Sequence, residues 1–212
     1  MRKRRRLLAG GIIAAAAVVC IVLLYACGVF YRKADTDTIT FRDNGTVTFE
    51  EISSVEDGTD EDALKDYLKD QIRQYNASCG SRDVHLKRFT IRGKKAYVRT
   101  EYKDAETYEA FTGYETFSGT VKQAKAAGYT FDSSFVSVKK RKKQKSVSSE
   151  NAMKNTKNRV AVVRENCTVR VSGSIRYLST DSTAVDSSRK VTVDSGGDTG
   201  DSPLVYIIYA AD

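Results

Sequence analysis

Twenty-five consecutive uncharged residues, Leu7 to Tyr31 (LLAGGIIAAAAVVCIVLLYACGVFY), constrain this 212-residue chain more than any other feature. As an α-helix rising about 1.5 Å per residue, the run spans roughly 37 Å. That is enough to cross a hydrocarbon core of about 30 Å. A helix of this length in a soluble core would carry a polar stripe, and this one has none. Five basic residues (Arg2, Lys3, Arg4, Arg5, Arg6) precede the run, against Arg32 and Lys33 after it. The positive-inside bias then predicts residues 1–6 in the cytoplasm and residues 33–212 outside it. The expected layout is a cytoplasmic basic segment (1–6), a membrane segment (7–31), a linker (32–36) and an extracytoplasmic domain (37–212). The lipid bilayer is the first expected partner.

Three fates fit residues 7–31. The segment stays as an uncleaved transmembrane anchor, or it is a cleaved secretory signal, or it is a lipoprotein signal. An apolar region of about 7–15 residues is usual for a cleaved signal, and this run is longer. Leu24-Tyr25-Ala26-Cys27-Gly28 has the shape of a lipobox, with small Ala26 before Cys27, the candidate lipid-attachment residue. Tyr25 departs from the small or aliphatic residue such a site prefers. The apolar run also continues past Cys27 through Val29, Phe30 and Tyr31.

The formal charge of +8 is unevenly placed. Residues 2–6 carry +5, and Lys139, Lys140, Arg141, Lys142, Lys143 and Lys145 carry +6, so the remainder nets −3. Nucleic-acid binders spread basic charge over a face with interleaved aromatics. Basic charge confined to two compact blocks, with the acidic body expected outside the cytoplasm, argues against nucleic acid as a partner. The 139–145 block reads as an exposed basic loop or strand end, suited to anionic lipid headgroups or wall polymer. A subdivision of the domain is drawn near 139–158.

Residues 37–212 read as α+β, with mostly antiparallel sheet and two or three helices packed on one face. Ile39/Phe41 and Val47/Phe49 alternate around Asp43-Asn44-Gly45, the mark of a hairpin. Leu64, Tyr67, Leu68, Ile72 and Tyr75 recur at helical spacing, with Thr59 and Asp62 as the expected cap. Val84 to Ile91 and Ala96 to Tyr102 form a second hairpin, with a bulge between Leu86 and Phe89. Short helices are expected over Asp104–Phe111 and from Thr120 to Ala127, the latter opened by a Thr120/Gln123 capping box. Val160–Val163, Val169–Tyr177 with a bend at Gly173, and Val191–Val193 follow as strands. Leu204–Tyr209 is apolar on both faces and should be central.

Catalytic chemistry is largely excluded by what is missing. His85 is the only histidine and sits on the polar phase of a strand, so no site needs two imidazoles. Dispersed Cys79, Cys167 and His85 do not make a zinc set, and no metal or cofactor is expected. The acidic stretch 56–62 lacks EF-hand spacing. No nucleophile elbow, P-loop or dinucleotide fingerprint occurs. Cys79 and Cys167 are the only cysteines outside the apolar run and form the one candidate disulfide.

Several stretches together resemble a family: Ala26-Cys27-Gly28, Gln74-Tyr75-Asn76-Ala77 and Tyr108-Glu109-Ala110-Phe111 leading to Phe117-Ser118-Gly119-Thr120-Val121. Lys125-Ala126-Ala127-Gly128-Tyr129 and Tyr206-Ile207-Ile208-Tyr209 complete the set. The layout is similar to membrane-anchored lipoproteins of unknown function from clostridial-type Gram-positive bacteria. The resemblance implies a membrane-attached extracytoplasmic domain and no catalytic residues. The expected function is therefore a non-enzymatic binding or envelope-associated module. The alternative is a surface hydrolase of wall polymer or glycan, using two carboxylates about 5–10 Å apart across a cleft.

Overall fold

The computed structural model describes residues 35–180, 183–196 and 203–210. The apolar segment 7–31 and Cys27 lie outside the described residues. No helix among the described residues is long and apolar enough to cross a membrane. Residues 35–212 gather into one compact unit, separate from 1–34. Among the described residues both hydrophobic cores below lie within that unit, as in a domain that folds on its own.

In chain order the strands are β1 (Thr38–Phe41), β2 (Val47–Ser54), β3 (Val84–Arg92), β4 (Lys95–Tyr102), β5 (Thr116–Thr120), β6 (Phe135–Lys139) and β7 (Lys142–Val147). They continue with β8 (Arg159–Val163), β9 (Thr168–Val171), β10 (Ile175–Ser179), β11 (Thr183–Ser187), β12 (Lys190–Val193) and β13 (Val205–Tyr209). Four helices are interspersed: α1 (Glu61–Ser78), α2 (Ala105–Thr112), α3 (Val121–Ala126) and α4 (Ser149–Ala152). The fold is α+β, but with two sheets where the sequence suggests one. The first runs β11-β12-β9-β1-β2-β4-β3 and the second β5-β8-β13-β10-β6-β7. β1 and β9 pair in parallel, and the other pairs are antiparallel.

Pleat alternation explains how the layers stack. Ile39, Phe41, Val47, Val169 and Val191 of the first sheet share one core with Val163, Leu178, Ile207 and Tyr209 of the second. The first sheet's other face is polar, with Thr38, Thr40, Thr48, Glu50 and Arg170 in neighbouring cross-strand positions. The second sheet is covered twice. Its opposite face, Val160, Val162, Tyr206 and Ile208, packs on Val121 and Ala124 of α3, Ala152 of α4 and Phe131. All five residues of β13 are buried, as a central strand requires.

Local sequence sets the turns. Arg42 N–H donates to Thr46 O and Gly45 N–H to Arg42 O, with Gly45 at φ 88°. That is the three-residue hairpin loop with a left-handed glycine, so Gly45 alone supplies the positive φ. The α1 cap falls one residue later than the spacing suggests. Asp60 accepts from the N–H groups of Asp62 and Ala63, while the Thr59 hydroxyl donates to Glu56 O. The Thr120/Gln123 capping box forms in both directions. The bulge expected in β3 falls between Leu86 and Arg88. The bend at Gly173 is larger than expected, because β9 and β10 on either side of it belong to different sheets. A Cβ at Gly173 would sit 1.7 Å from Ala210 O, so only glycine lets the chain cross there.

Candidate functional site

The basic block, expected as an exposed loop or strand end, takes in the end of β6, a two-residue turn and β7, a β-hairpin at the edge of the second sheet. β6 pairs with β10 on one side and β7 on the other, and β7 has no further neighbour among the described residues. Val138 opposes Lys143 and Lys139 opposes Lys142, leaving Lys140 and Arg141 as the two-residue turn. Both turn residues have positive φ, 52° and 64°. This is the φ pattern of a type I′ turn, which normally selects Asn-Gly. The register also shifts between Val136 and Val138, where Ser137 Oγ lies 3.3 Å from both Lys145 N and Lys145 O.

Lys139, Lys140, Arg141, Lys142, Lys143 and Lys145 are all exposed. The Lys143 ammonium donates to Thr180 O at 3.0 Å. Among the described residues no carboxylate pairs with Lys139, Lys140, Arg141, Lys142 or Lys145. Elsewhere on the surface, Lys69 meets Asp66, Arg73 meets Asp70 and Lys87 meets Glu101. The hairpin thus gathers within seven residues five exposed cations that have no carboxylate partner among the described residues.

The two candidate disulfide cysteines are not brought together. Both are free thiols, Cys79 exposed beyond α1 and Cys167 buried beside β9. Cys167 packs in the core shared by the two sheets, and burial pushes its thiol well above the ordinary range. His85 is exposed in β3 opposite Glu101, as its phase in the sequence suggests.

The interior holds one polar device that the sequence reading missed. Tyr108 of α2 is fully buried and stacks edge-on against Tyr102 at 5.0 Å and Phe49 at 5.6 Å. Its hydroxyl donates to Glu165 Oε2 at 2.6 Å. Burial pushes the Glu165 carboxyl up to about 7, with Asp37 and Glu51 adding to the rise and the Tyr108 hydrogen bond opposing it. Burial and the same carboxylate raise the Tyr108 phenol. The two residues are 57 positions apart, and no local motif marks either one.

A groove of about 500 Å³ lies between α1 and β3, with Ile72, Val84 and Leu86 among its apolar lining and Lys69, Arg73 and Arg82 among its basic lining. His85 also lines it, and no carboxylate is among its described lining residues, so the two-carboxylate arrangement of a glycan hydrolase is not found there. A second groove of about 420 Å³, at the start of β1, contains Asp35, Asp37, Asp194 and Lys95. Among the described residues no group of three or more His, Cys, Asp or Glu is arranged to hold a metal. Glu165, the carboxyl raised to about 7, is only 6% exposed and already bonded to Tyr108.

No protein-family profile, curated protein or solved structure matches this chain.

Proposed function

We propose that this chain is a membrane-tethered extracytoplasmic binding module, of the kind represented by the clostridial-type lipoproteins it resembles. Its ligand is a phosphate-bearing polyanion, and its contact surface is the β6–β7 hairpin. The observation that carries this reading is the display of six exposed cations on one hairpin, five of them without a carboxylate partner among the described residues. Each basic residue held near an anionic surface adds about 1 kcal/mol, screened over roughly 8 Å at physiological salt. The tether is supported by the 25-residue uncharged run and the basic residues before it. Lipid attachment at Cys27 is the form of tether favoured by Ala26-Cys27-Gly28.

The binding test uses fragment 35–212 with phosphatidylglycerol-containing vesicles, phosphatidylcholine vesicles and a purified phosphate-bearing wall polymer, at low and high salt. Salt-sensitive binding to either anionic probe is expected, and the stronger arm identifies lipid headgroup or polymer as the source of phosphate. Equal, salt-insensitive behaviour towards all three would remove the reading. Two measurements address the tether. Protease added to intact protoplasts should digest the domain, and full protection contradicts the orientation. Intact mass of the membrane-extracted chain should show loss of residues 1–26 and a diacylglycerol adduct. Retention of those residues without an adduct leaves an uncleaved anchor.

A further inference from the structure

Resting on that reading, we infer that two pairs among the basic residues have different roles: Lys140 and Arg141 at the turn contact the phosphate, whereas Lys142 and Lys145 on β7 guard the sheet edge. Backbone conformation separates the two groups. A positive φ brings Cβ close to the carbonyl in any residue other than glycine, and Asn-Gly is the sequence that fits a type I′ turn with least cost. Here the turn carries Lys at 52° and Arg at 64° instead. Strain held at two adjacent positions that a common dipeptide would relieve points to a requirement for the side chains themselves.

The chemistry of the turn fits the proposed ligand. Lys139 and Lys142 face each other directly across its base, and Lys140 and Arg141 occupy its tip. Four cations therefore crowd one tight turn, with no carboxylate paired to any of them among the described residues. A phosphate group relieves that repulsion, and the planar fork of Arg141 can donate to two of its oxygens at once. Lys142 adds charge at the base of the turn, but its place on the edge strand, like that of Lys145, is accounted for without a ligand. β7 closes the sheet, and lysines on a bulged edge strand are an ordinary device against edge-to-edge pairing.

The experiment compares two variants of fragment 35–212 that each remove two charges, K140N/R141G and K142Q/K145Q. A third, K140Q/R141Q, removes the turn charges while keeping the strained backbone. Binding to phosphatidylglycerol-containing vesicles and to the wall polymer is measured beside thermal unfolding. K140N/R141G should melt about 3 °C higher than the parent, because the turn strain is released. The same variant and K140Q/R141Q should each bind roughly 30-fold more weakly. K142Q/K145Q should bind within about threefold of the parent. If K142Q/K145Q loses as much affinity as the turn variants, or K140N/R141G binds like the parent, the division of roles is wrong while the hairpin still binds. If the parent binds neither anionic probe, the functional reading fails and this inference goes with it.

Discussion

β13 lies between β8 and β10 in the middle of the second sheet, and all five of its residues are buried. β7 closes the same sheet three strands further out, and five of its six residues are exposed. β13 reads Val-Tyr-Ile-Ile-Tyr and β7 reads Lys-Lys-Gln-Lys-Ser-Val, yet both form the same ladder. The backbone is indifferent to the contrast, and the surroundings of each strand impose it. One face of β13 meets the first sheet and the other meets α3, α4 and Phe131, so every position is apolar or half-apolar. β7 has a neighbour on one side only, and charge there prevents a further strand from joining.

The contrast breaks most severely at its buried end. Ile207 is fully buried in the core between the sheets, and Ile207→Ala should cost about 3 kcal/mol, transfer and cavity together. Urea unfolding of fragment 35–212 measures this directly. A loss below about 1 kcal/mol would mean that β13 is not the centre of the packed layer.

The buried Tyr108–Glu165 pair sharpens the comparison, because it sets a titratable carboxyl in the interior. The folded-state carboxyl of Glu165, raised to about 7, binds its proton more tightly than in the unfolded chain. Its contribution to stability is therefore full below the ordinary glutamate range and is lost as pH rises to about 7. The whole effect is on the order of 3 kcal/mol. Unfolding free energies of the parent and Glu165→Gln, compared from pH 5 to pH 8, should diverge, with the parent losing stability relative to the variant. Parallel profiles would mean that Glu165 is ionised throughout and that its burial is relieved in some other way.

A smaller effect is expected at the start of α3, which covers the outer face of β8 and β13. Thr120 accepts from Gln123 N–H, and the Gln123 side chain accepts from Thr120 N–H. Thr120→Ala should cost about 1 kcal/mol by removing half of the capping box. An unchanged midpoint in the same unfolding assay would show that packing alone holds the helix.

The legible parts of the fold are those in which one physical requirement dominates a short stretch. β13 is readable because burial on both faces leaves no polar position. The Asp43-Asn44-Gly45 turn and the Thr120/Gln123 box are readable because each needs particular residues at fixed spacing. β7 is not, since lysine has weak strand preference and a charged run in isolation looks like a loop. Its turn is also hidden, because Lys140-Arg141 lacks the Asn-Gly signature that the same geometry ordinarily demands. Gly173 is visible as a break, but whether a glycine bends one strand or separates two sheets depends on partners far away in sequence. The same distance conceals the Tyr108–Glu165 pair. For the candidate site, the charge cluster itself was plain in the sequence, whereas its division into a strained tip and a guarded edge came only from the backbone.

The smallest expected change in stability carries the sharpest statement about the edge. Lys142→Val and Lys145→Val together remove two cations from exposed positions and substitute a residue that favours strands. Neither lysine pairs with a carboxylate among the described residues, so no ion pair is lost. Surface changes of this kind usually stay within about 0.5 kcal/mol. If the lysines guard the edge, the double variant should be as stable as the parent and yet aggregate faster, because β7 then offers its row of backbone donors and acceptors to another copy with Lys143 as its one remaining cation. Light scattering over time at a temperature well below the melting point separates this from loss of folding. Rising scattering with an unchanged midpoint makes β7 the counterpart of β13, a strand whose composition is dictated by what must be kept away. Unchanged scattering would mean that the bulge at Ser137 already protects the edge, and Lys142 and Lys145 would then need a ligand to explain them.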